Sequence, residues 1–335
     1  MRAAWYERQG PADEVLVVGD RPTPEPGEGE VRVRVVASGV NAGDVKKRQD
    51  AFGTGMPYPL VIPHSDGSGV VDGVGDGVDD GRLGERVWCY GAQTYRPFGT
   101  AAEWVVVPAE QAVPLSDDVS FEVGACLGIP GITAHRAVHG AGPVDGRAVL
   151  VQGGGGAVGQ CAVALAHHAG ADVIATVRSE HDESVARRAG ARAVVRTDGL
   201  SDDEASDAIR QEAPGGVAHV VEVAFGANIR VNEAVLVQGG SVAAYATGDP
   251  EPTVPFWPLL FKNTRIVLVG SDDVPEEAKR EAAQAVNEAL ASGWAGPEVG
   301  ARFPLDSIAE AHVAVEDGRA EGRVVVTVDG RRDPG

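Results

Sequence analysis

The chain is short of cysteine, of basic residues relative to acids, and of long apolar runs. Its three cysteines, Cys89, Cys126 and Cys161, lie far apart, which gives no disulfide framework and suits a reducing compartment. Lysine and arginine number 29 against 49 aspartates and glutamates, a net charge of −20. That balance argues against nucleic acid or an anionic membrane surface as a partner. No apolar run is long enough to cross a bilayer, and Met1-Arg2-Ala3-Ala4-Trp5-Tyr6 lacks the apolar segment of a signal peptide. Internal repeats and low-complexity tails are missing as well. These absences lead to an expectation of a cytoplasmic protein with small-molecule partners. At 335 residues the chain should form two domains, each with its own core.

Glycine is plentiful, and one cluster of it organises the chain. The apolar run Ala148-Val149-Leu150-Val151 is too short for a helix and reads as a buried strand. Gln152 leads into Gly153, Gly154, Gly155 and Gly156, then Ala157, Val158 and Gly159. A helical pattern follows, with Val158, Cys161, Ala162, Leu165 and Ala169 on one side and Gly170 as its stop. Val173 to Val177 reads as the next parallel strand. Strand, glycine turn, helix and strand form the mononucleotide-binding half of a doubly wound sheet. Gly154, Gly156 and Gly159 fit G-x-G-x-x-G, where a tight bend, an approaching diphosphate and a close helix all exclude side chains. The helix N-terminus then offers free N–H groups to phosphate. Arg178 and Ser179 close the second strand and suit the 2′-phosphate of NADPH; Glu180 follows and leaves the ribose hydroxyl of NADH open.

Elsewhere the pattern divides in two. Val15–Val18, the alternating Val31-Arg32-Val33-Arg34-Val35, Val70-Val71, Arg86-Val87-Trp88 and Glu103–Val107 read as short strands of a small β-barrel. Ala37 to Arg48 reads as a loop entering a short helix. Beyond Val177, strands at Ala193–Val195, His219–Val223, Gly240–Tyr245 and Arg265–Val269 alternate with helices, completing a six-stranded dinucleotide-binding sheet. A helix over Pro275–Leu290 follows, then another over Leu305–Val315 and a strand over Val324–Val328. The Val267–Val269 run reads as an edge strand that dimerisation could cover.

Together, Gly39-Val40-Asn41-Ala42-Gly43-Asp44, Pro63-His64-Ser65-Asp66-Gly67-Ser68-Gly69, Gly131-Ile132-Thr133-Ala134, the glycine turn, Phe303-Pro304-Leu305, Glu310-Ala311-His312 and Gly322-Arg323-Val324 resemble the medium-chain dehydrogenase/reductase superfamily, and within it the zinc-free quinone oxidoreductase (ζ-crystallin-like) branch. The resemblance implies an α/β chain with a GroES-like β-barrel catalytic domain over residues 1–120 and 273–335. A Rossmann doubly wound parallel-sheet domain for NADP(H) is implied over residues 121–272, with the active site in the cleft between the domains. Zinc-dependent relatives carry Cys at the Asn41 position and His at the Ser65 position, so a catalytic metal lacks its ligands here, and His64 reads as structural or surface. Without a Lewis acid, reduction of a quinone or an α,β-unsaturated carbonyl is the chemistry left open.

By the same resemblance, Asn41 lies near substrate, where its amide could donate to a developing enolate; alternatively it caps the helix that follows. Thr133 matches the family threonine at the nicotinamide, or is itself a helix cap. Asp66 matches the family acid behind the cleft, and Asp44 and Arg48 match too but could pair with each other. Arg196 replaces the usual adenine-flanking aromatic and offers a second cation. Phe225, Gly226, Ala244, Tyr245, Gly270 and Ser271 should line the cofactor at strand ends, and Arg323 joins that set. Tyr95 is the proton donor considered first, beside Tyr90, Lys46 and water. The partner expected is a small quinone or enone, with a homodimer as the assembly. Enoyl-thioester reduction, or nucleotide binding with little turnover, are the alternatives.

Overall fold

A computed structural model describes residues 1–318 and 320–328. The chain forms two compact units, one of residues 1–129 with 297–335, the other of residues 130–296.

The first unit opens with a small ribbon of β1 (Arg2–Trp5) and β2 (Val17–Asp20), which flank the short helix α1 (Ala12–Val15). Only the second half of the Val15–Val18 run is therefore strand; Val15 turns its side chain into a core with Tyr6 and Val61. Strand β3 (Glu30–Val40) is longer than its alternating segment, and takes in Ala37 to Val40, which the sequence reading places in a loop. Val31, Val33 and Val35 are buried while Arg32 and Arg34 are half-buried, as a one-sided strand requires. Helix α2 (Ala42–Gln49) follows, then β4 (Asp66–Val74), β5 (Arg86–Cys89), β6 (Trp104–Pro108), β7 (Ala112–Pro114) and the single turn α3 (Phe121–Gly124).

Helix α4 (Gly128–His139) leads into the second unit, whose strands are β8 (Ala148–Val151), β9 (Asp172–Val177), β10 (Ala193–Arg196), β11 (Val217–Glu222), β12 (Leu236–Ala244) and β13 (Arg265–Leu268). They pair in parallel in the order β10-β9-β8-β11-β12-β13, the doubly wound arrangement. Between them run α5 (Ala157–His168), α6 (Glu180–Arg188), α7 (Asp202–Glu212), α8 (Phe225–Val235) and α9 (Phe256–Phe261). Helix α5 is apolar and buried on nearly every side, as a helix enclosed in a core should be. The sheet ends at β13, with Ile266 and Leu268 exposed.

Helix α10 (Glu276–Ala291) corrects the expected boundary at residue 273. Its buried stripe of Ala282, Ala283, Val286 and Ala289 packs against α5, so it belongs to the parallel-sheet unit. At the front boundary, α3 packs on β3, β4 and β5, and residues 121–129 stay with the first unit, which moves the expected boundary at 120/121 to 129/130. The chain then returns through β14 (Val299–Pro304), α11 (Ile308–Glu316) and β15 (Arg323–Thr327). Strand β15 pairs antiparallel with β3, extending the sheet to the order β14-β15-β3-β4-β5-β7, with β6 also on β3. The mixed α/β class, with one GroES-like unit and one Rossmann-sheet unit, is the one expected. Among the described residues no helix is long and apolar enough to cross a membrane.

Candidate active site

In the first unit, polar side chains converge where the ends of β3, β4 and β15 meet. Asn41 ends β3 and starts α2, and its backbone N–H donates to the Asp44 carboxylate (2.8 Å). Its side chain is 5% exposed and is held at both ends. Nδ2–H donates to Asp66 Oδ2 (2.8 Å), and Oδ1 accepts from Arg323 Nη2 (2.7 Å). A carboxylate only accepts and a guanidinium only donates, so the amide cannot be flipped. One Nδ2 hydrogen has no partner among the described residues. The helix-cap reading of Asn41 is realised, since it is the N-cap of α2 in a capping box with Asp44.

Asp66 is fully buried at the N-terminus of α4, where Ile129 N–H donates to its oxygens at 2.9 and 3.0 Å. Burial pushes its carboxyl up to about 7, against the pull of the Asn41 N–H and the Arg323 guanidinium. The approach is close: a Cβ on Gly128 would lie 2.2 Å from Asp66 Oδ1. Arg323, grouped from the sequence with the cofactor residues, is 6% exposed and belongs to this cluster. The sequence reading offers Asp44 as a partner for Arg48; its guanidinium bonds instead to Gly10 O and the Glu316 carboxylate. Tyr95 has a φ of 52° and is 69% exposed, with its carbonyl accepting from Tyr58 Oη (2.5 Å).

In the second unit, the glycine turn has the shape expected of a phosphate cradle. Gly153 has a φ of 69°, and a Cβ on Gly159 would lie 2.0 Å from Gly153 O, so α5 can sit this close only with hydrogen at that position. A Cβ on Gly154 would lie 2.6 Å from the Ala175 Cβ, and one on Gly155 2.4 Å from the Asp182 Cβ. Gly156 is the N-cap of α5, with Ala157 and Val158 opening its first turn. The bend is therefore backbone-lined where a diphosphate would approach, and its residues fit a dinucleotide.

Beneath the turn lies a buried network that sequence reasoning missed. Gly153 N–H donates to Thr176 Oγ1 (3.2 Å), Thr176 Oγ1 to Gln152 Oε1 (2.5 Å), and Gln152 Nε2 to Asn232 Oδ1 (2.8 Å). Asn232 in turn donates to Glu222 Oε2 (2.5 Å), whose carboxyl is pushed up by burial. The one sequence signal was Glu222 itself, an acid in the apolar strand β11.

Most residues expected from the sequence to border a nucleotide sit at or just after the carboxyl ends of the parallel strands. Arg178 follows β9, is exposed, and has no partner among the described residues. Ser179 caps α6: its Oγ accepts from Asp182 N (3.0 Å) and donates to Asp182 Oδ2 (2.8 Å). Arg196, at the end of β10, is held by Glu183 (3.3 Å). Gly226 and Ala244–Tyr245 follow β11 and lie at the end of β12, while Gly270 and Ser271 follow β13. Phe225 starts α8 with its ring buried in the sheet core, so its side chain packs inward. Thr133 is buried within α4.

Two family models match the chain: "Alcohol dehydrogenase GroES-like domain" over residues 27–117 and "Zinc-binding dehydrogenase" over residues 157–288. The quinone oxidoreductase of Rattus norvegicus is 30% identical over 323 residues, covering 93% of each chain. A mycobacterial quinone oxidoreductase structure superposes with a TM-score of 0.83 at 27% identity, covering 98% of this chain and all of that one. A mycobacterial structure complexed with NADPH gives 0.82 at 26% identity, with coverage of 98% and 100%.

Burial sets a pH dependence of stability. It holds His64 down to about 3, and His135 and His219 down to about 4, from an ordinary 6.5. Each folded value lies below the unfolded one, so the stability they carry is complete above 6.5 and is lost as pH falls through the folded values. Asp66 runs the other way, its contribution fading as pH rises from 3.8 to about 7. Burial lowers His139 and His312 as well and raises Glu222 with Asp66, so five histidines stand against two carboxyls. Thermal melts followed by circular dichroism should therefore give a lower Tm at about pH 5 than at about pH 7; an unchanged or higher Tm would contradict the assignment.

Proposed function

The chain belongs to the quinone oxidoreductase-like family of the medium-chain dehydrogenase/reductase superfamily, and from that premise we propose that this oxidoreductase reduces a quinone or an α,β-unsaturated carbonyl with NADPH, independently of zinc. The observation that carries the reading is the locked Asn41 amide, with one N–H left to donate. A pre-oriented donor in a buried site stabilises an oxygen that gains negative charge as an enone or quinone is reduced. The nicotinamide, when bound, supplies the hydride.

The protein's own residues bind and orient. The backbone of Gly153 to Gly159 would hold the diphosphate and Arg178 the 2′-phosphate, with Arg196 and Ser179 beside it. Gly226, Ala244, Tyr245, Gly270 and Ser271 would border the nicotinamide half through backbone groups, with Thr133 and Phe225 behind. Zinc independence is supported by the donor set, since Asn41 is committed to Asp66 and Arg323, and Ser65 offers only a hydroxyl. Solvent, or the exposed phenol of Tyr95, supplies the proton. Three free, buried cysteines fit a cytoplasmic setting.

The test is NADPH consumption with 1,4-benzoquinone, an enone and a crotonyl thioester side by side. Turnover is expected with the first two; dominant turnover with the thioester would move the reading to enoyl-thioester reduction. Nucleotide binding without turnover of any acceptor would leave only a binding protein. Asn41→Ala should lower kcat by about 100-fold, the usual loss of one oxyanion donor, while NADPH affinity changes little.

Arg178→Asp checks the cofactor separately. It should weaken NADPH by about tenfold or more, equivalent to about 1.4 kcal/mol, and spare NADH. An unchanged preference would remove Arg178 from the 2′-phosphate site.

The assembly we propose is a homodimer formed across β13. This edge strand exposes Ile266 and Leu268, and the preceding helix exposes Phe256, Trp257, Leu260 and Phe261, apolar side chains at an unpaired strand edge of the kind a second copy would cover. Light scattering should give twice the chain mass, and Trp257→Ser with Leu268→Asp should halve it. A monomeric wild-type protein at micromolar concentration would refute this interface.

A further inference from the structure

A second polar chain in the first unit ends on the residue that holds Asn41. Arg48 Nε–H donates to His312 Nδ1 (3.4 Å), and the His312 and His64 rings stack with their Nε2 atoms 3.0 Å apart. His64 Nδ1 lies 2.8 Å from Ser38 Oγ, Ser38 Oγ lies 2.7 Å from Thr100 Oγ1, and Thr100 Oγ1–H donates to the Asp66 carbonyl (2.5 Å). All five side chains have an exposure of 0%.

One end of this chain can only donate and the other can only accept. Between them stand four groups, so every link is made only if each carries a single proton and passes it in the same sense. His312 must then bear its hydrogen on Nε2 and His64 on Nδ1, and both rings must be neutral. An added proton would set two donors face to face at one of the links. Burial acts in the same direction on both rings, reinforced by Arg323 near His64 and Arg48 near His312. Because a guanidinium does not give up its proton, the chain conducts nothing and can only orient. His64 also holds a φ of 76°, a conformation that a residue with a side chain adopts only when its surroundings impose it.

We propose that His64 and His312 are positioning residues for Asn41: they tie α2 and α11 to the strand end bearing Asp66, and Asp66 holds the Asn41 amide. The functional consequence rests on the reading of Asn41 given above.

The test uses nitrogen-15-labelled full-length protein. At neutral pH, long-range proton–nitrogen spectra should show two neutral rings, His64 protonated on Nδ1 and His312 on Nε2; a charged ring or the opposite tautomers would overturn the proposal. His312→Leu breaks both links, whereas the amide of His312→Gln can accept from Arg48 and donate to His64. The Asn41 side-chain amide resonances should shift in the Leu variant and return towards wild type in the Gln variant. Turnover of the enone should fall by about tenfold in the Leu variant, about 1.4 kcal/mol of barrier, with NADPH affinity unchanged and partial recovery with Gln. Unmoved Asn41 resonances in a folded Leu variant refute the positioning role. If that variant does not fold, the wild-type tautomers and the Gln variant decide the matter. A wild-type protein that turns over no acceptor, with the resonances moving as expected, refutes only the functional reading.

Discussion

A single amide held between a carboxylate and a guanidinium is the constraint on which the first unit depends. Asp66, Asn41 and Arg323 come from β4, the start of α2 and β15. Their bonds therefore join the N-terminal part of the unit to the segment that returns after the parallel sheet. A buried charge without a partner is strongly destabilising, and neither charge here touches the other in the bonds that hold Asn41. The amide mediates, with its oxygen towards the cation and its nitrogen towards the anion. Removing it would leave both charges short of a partner, so its orientation is enforced by the energetics of the whole cluster.

The second unit solves a different problem by similar means. A bend made of glycines is conformationally loose, and a phosphate cradle needs a fixed backbone. Packing supplies part of the fixation, because the carbonyl of Gly153 lies against Gly159. The rest comes from below, where Thr176, Gln152 and Asn232 link Gly153 N–H to the buried Glu222. Those four side chains belong to three strand ends and one helix of the same sheet. The turn is thereby tied by hydrogen bonds to the sheet that carries it.

What could be read from the sequence follows the distance over which each feature is encoded. The turn between β8 and α5 and the six strands are local patterns, and they are legible within some thirty residues. Partnerships across the chain are not. Arg323 matches a family position, but nothing near it in sequence announces a bond to Asn41, 282 residues away. His64 and His312 are 248 residues apart and each alone looks like an ordinary histidine. Helix α10 shows why the boundary at residue 273 misled: its apolar stripe says that it packs, not on what. Ala37 to Val40 resisted for the opposite reason, since small residues and glycine weaken strand signals where β15 and β4 supply the pairing.

The net charge of −20 sets a last condition on any anionic ligand. At physiological ionic strength fields fade over about 8 Å, so the charges within one or two side-chain lengths of the strand ends decide what is tolerated there. Near the end of β9 these are Arg178, which is unpaired among the described residues, and the acids Glu180 and Asp182. Glu183 is already taken up by Arg187 and Arg196. Asp182 is engaged by Ser179, with its backbone N–H bound to the same hydroxyl. The acids at the start of α6 are thus partly occupied by their own neighbours, while the guanidinium of Arg178 stays uncommitted. Of these acids Glu183 is the one paired with cations, so an anion at the end of β9 would meet the Arg178 guanidinium with the carboxylates of Glu180 and Asp182 still close by.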